Sequence, residues 1–164
     1  MANASDTHET ATLAQGPGVH VPAPFIYAVP FVLGILAQRA RPLPLLPHAV
    51  ARRLGAALVV VAVGLLGYAM LTFLRARTAI LPIRPASALV ESGPYRFTRN
   101  PMYVTMALVY LGVALWANAL WPVLLLPFAL VAVRRFVIAR EERYLEARFG
   151  EAYRVYKGRV RRWL

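Results

Sequence analysis

The chain has no cysteine, three histidines and only seven acidic residues among its 164 residues. The lack of cysteine excludes a disulfide scaffold, a cysteine-ligated zinc site and a cysteine nucleophile. His8, His20 and His48 are scattered, so a histidine-built metal site is not expected. Charged residues make up 16% of the chain and apolar residues 59%, whereas soluble domains have about 25% and about 45–50%. The composition predicts one domain, either a small, basic membrane protein or an unusually apolar soluble one, and it argues against disorder over most of the chain.

The sequence motifs of several large enzyme classes are missing as well. The chain contains no G-x-G-x-x-G, Walker A or H-E-x-x-H motif. It also lacks the G-x-S-x-G nucleophile elbow. These absences exclude a Rossmann-type enzyme and leave no motif of P-loop, hydrolase or zinc-protease chemistry.

Long uncharged runs predict membrane-spanning helices. Leu54–Leu74 is uncharged over 21 residues, and a spanning helix needs about 20. Met102–Val133 is uncharged over 32 residues, or about 48 Å of helix, so it must fold back in a hairpin, with the turn expected at Asn118. Val21–Gln38 is a further candidate that prolines interrupt. We predict an all-α integral membrane protein with about four transmembrane helices, a C-terminal helical hairpin and a cytoplasmic amphipathic helical tail; the spans are about 21–38, 54–74, 102–117 and 119–138.

The distribution of basic residues predicts the orientation of these spans. With four spans, one side of the membrane carries fifteen lysines and arginines and the other carries four, so the basic side is expected to face the cytoplasm and the membrane is expected to be a bacterial inner membrane. The polar residues 1–20 are predicted to form a disordered tail, not a signal peptide, and 21–164 a single domain. The basic excess fits anionic lipid headgroups, and no nucleic-acid partner is expected.

Two polar segments, 75–101 and 139–164, fall on the predicted cytoplasmic side. In the second, Tyr153, Tyr156, Val160 and Trp163 recur at helical spacing. This face is interpreted either as an amphipathic helix lying among headgroups or as the lining of a cofactor pocket. The neighbouring pair at 141–142, both glutamates, is interpreted either as partners for nearby arginines or as a polar site at the mouth of the bundle.

Two motifs in these segments resemble those of a known family. Residues 93–103, GPYRFTRNPMY, resemble G-x-Y-x-x-x-R-H-P-x-Y, and residues 141–160, EERYLEARFGEAYRVYKGRV, resemble E-E-x-x-L-x-x-x-F-G-x-x-Y-x-x-Y-x-x-x-V. Both patterns are typical of isoprenylcysteine carboxyl methyltransferases, and phospholipid methyltransferases share their general form. The resemblance covers about residues 90–164. It implies an integral-membrane enzyme that uses S-adenosylmethionine without a Rossmann fold and releases S-adenosylhomocysteine.

The resemblance also implies site residues. Two positions depart from the pattern: Asn100 replaces the family's histidine, and Thr105 stands where glycine is frequent. Asn100 is not assigned as a base, because an amide does not titrate near neutral pH. The expected cofactor-binding residues are Tyr95, Arg99, Asn100, Pro101, Tyr103, Glu141, Glu142, Tyr153 and Tyr156. The expected catalytic residues are Arg99, Arg140 and Glu142, and the expected substrate-binding residues are Tyr103, Met106 and Tyr110.

The sequence thus predicts methyl transfer from S-adenosylmethionine to a lipophilic acceptor, without a metal. The acceptor is expected to be the carboxylate of a prenyl-cysteine-like or other hydrophobic small molecule, or a lipid headgroup. Membrane lipids are the expected partners, and the oligomeric state is left open. Two alternatives are a non-catalytic membrane protein that retains the fold and an NADPH-dependent membrane reductase.

Overall fold

A computed structural model describes residues 17–19, 21–77 and 86–164. Most of the predicted tail 1–20 and part of the segment 75–101 lie outside the described residues. The described chain is helical and confirms the predicted all-α fold class. Its helices are α1 (Ala23–Ala40), α2 (His48–Arg75), a 3₁₀ turn (Gly93–Arg96), α3 (Pro101–Trp116), α4 (Leu120–Val133), a π turn (Arg134–Ile138), α5 (Ala139–Phe149) and α6 (Glu151–Arg159).

Three of the described helices are long and apolar enough to cross a membrane. They are α1, α2 and the continuous helix Leu120–Phe149, which joins α4, the π turn and α5. The shorter α3 is also apolar, with 16 residues. At about 1.5 Å per residue, the 30-residue helix is about 45 Å long, which exceeds a hydrocarbon core of about 30 Å. Its polar C-terminal part, α5, therefore extends beyond the apolar bundle.

Small residues bring α2 and α3 into close contact. The buried side of α2 consists of Ala51, Gly55, Ala62, Ala69 and Thr72. A Cβ atom on Gly55 would lie 2.3 Å from the backbone nitrogen of Trp116, and a Cβ on Gly112 would lie 2.8 Å from Cγ2 of Val59. Side chains larger than hydrogen do not fit at this crossing. Close backbone approach through small residues is the usual way in which membrane helices gain packing contacts.

The second helix pair, α1 and α4, packs beside the first. A Cβ on Gly34 would lie 2.6 Å from Cα of Pro122, so the two backbones touch here as well. Tyrosines tie this pair to α3: Tyr27 donates to the carbonyl oxygen of Tyr103 at 2.9 Å, and Tyr110 donates to that of Pro122 at 2.8 Å. These hydrogen bonds give buried hydroxyls a partner inside the bundle.

The turn of the hairpin lies at Asn118, where the sequence analysis expected it. Asn118 has a φ of 50°, a left-handed conformation that asparagine tolerates better than most residues. Its side-chain oxygen accepts from the backbone N–H groups of Leu45 and Leu46 at 2.9 and 3.1 Å, and its Nδ2 donates to the carbonyl oxygen of Leu46 at 2.8 Å. The turn therefore also holds the connection between α1 and α2.

The C-terminal helix is shorter than the periodic pattern through Trp163 indicates. Helix α6 begins after Gly150, which has a φ of 54°, and it ends at Arg159. Val160 is extended, with φ −117° and ψ 131°. Beyond the helix, the carbonyl oxygens of Arg161 and Arg162 accept hydrogen bonds from residues 98–100.

The crossing of α2 and α3 gives a test of the fold with an internal control. We expect Gly55→Ala to lower the melting temperature of the detergent-purified protein, because overpacking against backbone costs about 1–3 kcal/mol. Gly64 lies in the same helix with open space around it, so Gly64→Ala is expected to be neutral or stabilising. Equal melting temperatures for the two variants, measured by scanning fluorimetry, would contradict the close helix crossing.

Candidate active site

A cavity lies where the 3₁₀ turn, the start of α3, α5 and α6 meet. It brings together two segments that are about forty residues apart in the sequence. Seven of the residues expected to bind a cofactor line it: Tyr95, Arg99, Asn100, Tyr103, Glu141, Tyr153 and Tyr156. The first motif thus forms one side of the cavity, and the second forms the other.

The first motif enters the cavity through a tight turn. Gly93 has a φ of 60°, and a Cβ there would lie 2.8 Å from Oγ1 of Thr72, so both conformation and space favour glycine. Pro94 follows, and the buried ring of Tyr95 packs on Phe73 with 5.1 Å between ring centroids. The turn therefore fixes Tyr95 against α2, and the residues that follow Tyr95 connect the turn to the start of α3.

Asn100 is the residue immediately before α3, and Pro101 occupies the first helical position, where the missing N–H of proline is not needed. The side chain of Asn100 does not cap this helix. Instead its Nδ2 donates to the carbonyl oxygen of Arg162 at 2.9 Å, an acceptor that also receives the hydroxyl of Thr98 at 3.1 Å. Asn100 therefore joins the first motif to the end of the chain. Pro101 is buried but is not part of the cavity lining.

Arg99 is held from several sides. Its side chain is only 8% exposed, and its Nη2 lies 3.0 Å from Oε1 of Glu142. Its Nη1 donates to the carbonyl oxygen of Lys157 at 3.2 Å, and its backbone N–H donates to that of Arg161 at 2.9 Å. Its Nε is buried and has no hydrogen-bond partner among the residues that the structure describes. A buried donor without a partner beside a cavity is a candidate contact for a ligand.

The two adjacent glutamates of α5 have different surroundings. Glu141 lines the cavity and accepts a hydrogen bond of 2.6 Å from the hydroxyl of Tyr103. Within the described part of the chain, it forms no ion pair with a lysine or arginine. Glu142 does not line the cavity. Both of its oxygens face arginines, because Arg162 binds it through two nitrogens and Arg99 through one. These hydrogen bonds raise the pKa of the Arg162 guanidinium above its usual range.

Helix α6 closes the cavity with two tyrosines. Tyr153 is 1% exposed and Tyr156 is 3% exposed, and the hydroxyl of Tyr156 donates to the carbonyl oxygen of Tyr95 at 2.8 Å. Burial raises the pKa values of Tyr95, Tyr153 and Tyr156 above that of a free phenol, so all three stay neutral. Of the two interpretations of this face, the geometry favours a pocket lining over a helix that presents its tyrosines to headgroups.

Besides Pro101 and Glu142, three more expected site residues do not line the cavity. Arg140 is on another side of α5, where its Nη1 donates to the carbonyl oxygen of Gly18 at 3.0 Å, and it borders a groove between α1 and α4. Met106 and Tyr110 pack in the core of the helix bundle. They share a face of α3 with Tyr103, but only Tyr103, in the first turn, reaches the cavity.

Other cavity residues were not expected from the sequence. Tyr144 and Leu145 line the cavity, and their positions three and four residues after Glu141 are a helical spacing that would have placed them beside it. Phe73 and Met102 also contribute, the first from a helix that carries neither motif. Arg162 had no distinguishing signal, because it is one of ten lysines and arginines after residue 133.

Comparison with known proteins identifies the family. The family model of phospholipid methyltransferases matches residues 50–152, a range that runs from α2 to the start of α6. A stretch of 64 residues, or 38% of this chain, is 48% identical to an uncharacterized protein of Haemophilus influenzae and covers that protein completely. No solved structure matches the chain. The chain belongs to the phospholipid methyltransferase family, the membrane methyltransferases related to isoprenylcysteine carboxyl methyltransferases.

Proposed function

We propose that this protein transfers a methyl group from S-adenosylmethionine to a lipophilic acceptor, and that the cavity binds this donor. The observation that carries the proposal is the convergence of seven of the nine expected cofactor residues on one cavity. The two motifs are about forty residues apart in the sequence, and hydrogen bonds such as that from Tyr103 to Glu141 do not use all of the polar groups that meet there, since Nε of Arg99 keeps no partner among the described residues. A ligand bound in the cavity provides that partner.

The side chains in the cavity fit the parts of the donor. The buried, unpartnered Nε–H of Arg99 suits a carboxylate, which an arginine binds strongly. The carboxylate of Glu141, which has a tyrosine but no described cation as its partner, suits an ammonium group or ribose hydroxyls. Leu89 and Val90, with the tyrosine rings, provide an apolar surface for the adenine. The cavity therefore offers partners for the carboxylate, for the ammonium group or ribose, and for the adenine of S-adenosylmethionine.

Binding and alignment are the main tasks of these residues. S-adenosylmethionine carries the methyl group on a positively charged sulfur. Transfer of this methyl group to an acceptor needs little acid–base assistance. Correct alignment of donor and acceptor can then provide much of the rate. Tyr153 and Tyr156 exclude water from the cavity as neutral, buried side chains. Glu142 contacts Arg99 and not the cavity, so we assign it a positioning role instead of direct contact with the donor.

The acceptor is proposed to approach from the membrane. The groove between α1 and α4 has an apolar lining that includes Val29, Phe128 and Phe136, and it reaches Arg140. An acyl or prenyl chain fits such a lining. In this proposal Tyr103 is the expected substrate residue that remains at the cavity, while Met106 and Tyr110 pack the helices. Because basic residues are in excess on the cavity side, the donor site is proposed to face the cytoplasm, with the helices in a bacterial inner membrane.

The first test is calorimetric titration of the purified protein in detergent. We expect saturable binding of S-adenosylmethionine and S-adenosylhomocysteine and no binding of NADPH. Binding of NADPH alone would favour a membrane reductase. A folded sample that binds none of the three would favour a non-catalytic protein that retains the fold.

Glu141 and Glu146 form a matched pair on α5. We expect Glu141→Gln to weaken binding of S-adenosylmethionine about 10-fold or more, because a hydrogen bond to a charged group contributes about 1.5–3 kcal/mol. Glu146 forms an exposed ion pair with Lys157 at 2.9 Å, so Glu146→Gln is expected to bind normally. Titration of both variants, with melting temperatures as a check on folding, measures the difference. Equal affinities would remove Glu141 from the donor site.

Arg99 is tested with an analogue that lacks one group of the donor. Decarboxylated S-adenosylmethionine keeps the sulfonium, the amine and the nucleoside but has no carboxylate. We expect Arg99→Lys to weaken S-adenosylmethionine about 10-fold or more, since lysine cannot reproduce the arginine geometry, and to leave the affinity for the analogue unchanged. A similar loss for both ligands would show that Arg99 does not bind the carboxylate.

Methyl transfer itself is measured with a radiolabelled methyl donor and vesicles made from bacterial inner-membrane lipids. Label is expected in the organic phase with the wild-type protein, and much less of it with Glu141→Gln at a donor concentration below the dissociation constant of the wild-type protein. If the wild-type protein binds the donor but leaves the organic phase unlabelled, hydrophobic carboxylic acids are the next acceptors to supply. Labelling of water-soluble molecules instead would contradict a lipophilic acceptor.

A further inference from the structure

The last residues of the chain pass directly over the first motif. We call residues 160–163 the C-terminal strap. Its backbone carbonyl oxygens accept three hydrogen bonds from residues 98–100: one at Arg161 from the backbone N–H of Arg99, and two at Arg162 from the side chains of Thr98 and Asn100. Trp163 packs against the core cluster that contains Tyr103. The strap is therefore fixed to the bundle at its end and to the motif along its backbone.

The side chain of Arg162 makes a further connection. Its Nε lies 2.9 Å from Oε1 of Glu142, and its Nη2 contacts Oε2 of the same carboxylate. Glu142 is 6% exposed, and Nη2 of Arg99 lies 3.0 Å from its Oε1. One buried carboxylate thus binds two arginines, one of which lines the cavity. A two-point contact from Arg162 fixes the plane of this carboxylate, and the carboxylate in turn fixes Arg99.

The remaining contacts of Arg99 decide which part of it faces a ligand. Nη2 is taken by Glu142 and Nη1 by the carbonyl oxygen of Lys157. Nε is the guanidinium nitrogen without a partner among the described residues. If Glu142 rotated, Nη2 would lose its acceptor, and the guanidinium would be free to turn and form other contacts. The orientation of Nε therefore depends on a carboxylate that Arg162 holds in place.

We infer that Arg162 is a positioning residue of the donor site: through Glu142 it orients Arg99 so that Nε–H meets the carboxylate of S-adenosylmethionine. This inference rests on the proposed function. It makes the C-terminal strap a part of the active site, although none of its residues lines the cavity. The positive charge of Arg162 alone does not perform this role, because the two-point geometry of its guanidinium is what holds Glu142.

The test compares two ligands across a small set of variants of the full chain. Arg162→Gln and Arg162→Lys are each expected to weaken S-adenosylmethionine about 10-fold or more, and to leave the affinity for decarboxylated S-adenosylmethionine unchanged. The matched control is Arg161→Gln, because the side chain of Arg161 is exposed and only its backbone contacts Arg99. This control is expected to bind both ligands like the wild-type protein.

A double variant tests the route through Arg99. If Arg162 acts only through Arg99, then adding Arg162→Gln to Arg99→Lys weakens S-adenosylmethionine no further than Arg99→Lys alone. Independent losses that add in the double variant would overturn the inference. So would normal binding by Arg162→Gln, an equal loss of both ligands, or full rescue by Arg162→Lys, which would assign the effect to charge. A wild-type protein that binds neither ligand would instead overturn the proposed function.

Discussion

The candidate site depends on the ion pairs that the buried carboxylate of Glu142 forms. This carboxylate lies between Arg99 and Arg162, so it joins the first motif, α5 and the C-terminal strap at one point. Its side chain and that of Arg99 are each only 8% exposed, and breaking a buried ion pair by removing one partner costs about 3–5 kcal/mol. Neither charge is therefore stable there alone. Because Glu142 binds both arginines, formation of the cavity wall at Arg99 is coupled to docking of Arg162, which lies more than sixty positions after Arg99 in the sequence.

Three consecutive residues of α5 lie in three different surroundings. Successive residues of a helix point about 100° apart, so Arg140 meets Gly18 and the groove beside α1, Glu141 faces the cavity, and Glu142 meets the two arginines. The π turn at Arg134–Ile138 precedes them, and such turns shift the faces of a helix at functional sites. One helix that starts in the apolar bundle thus supplies the groove, the cavity and the ion-pair network.

The sequence predicted those features that depend on local chemistry. Uncharged length predicted the helices, and Asn118 between two tryptophans predicted the hairpin turn. The resemblance of the two motifs to those of a known family implied residues on both sides of one cavity. Features that depend on tertiary contacts were not predictable in the same way. Periodicity places Met106 and Tyr110 on one face of α3 with Tyr103, but it does not say where along that face the cavity ends. Likewise, the pattern that extends helix α6 to Trp163 carries no information about the carbonyl acceptors that residues 98–100 require.

Asn100 belongs to the same network. A histidine changes its charge near pH 6.5, whereas an amide keeps its donors at every pH near neutrality. Nδ2 of Asn100 donates to the backbone of the C-terminal strap, at the same carbonyl oxygen that receives the hydroxyl of Thr98. The connection between motif and strap is therefore independent of pH across the range in which a histidine titrates. In the proposed methyl transfer from a sulfonium, which depends on alignment more than on proton transfer, the hydrogen bond of Asn100 contributes by holding Arg99 and its neighbours in place.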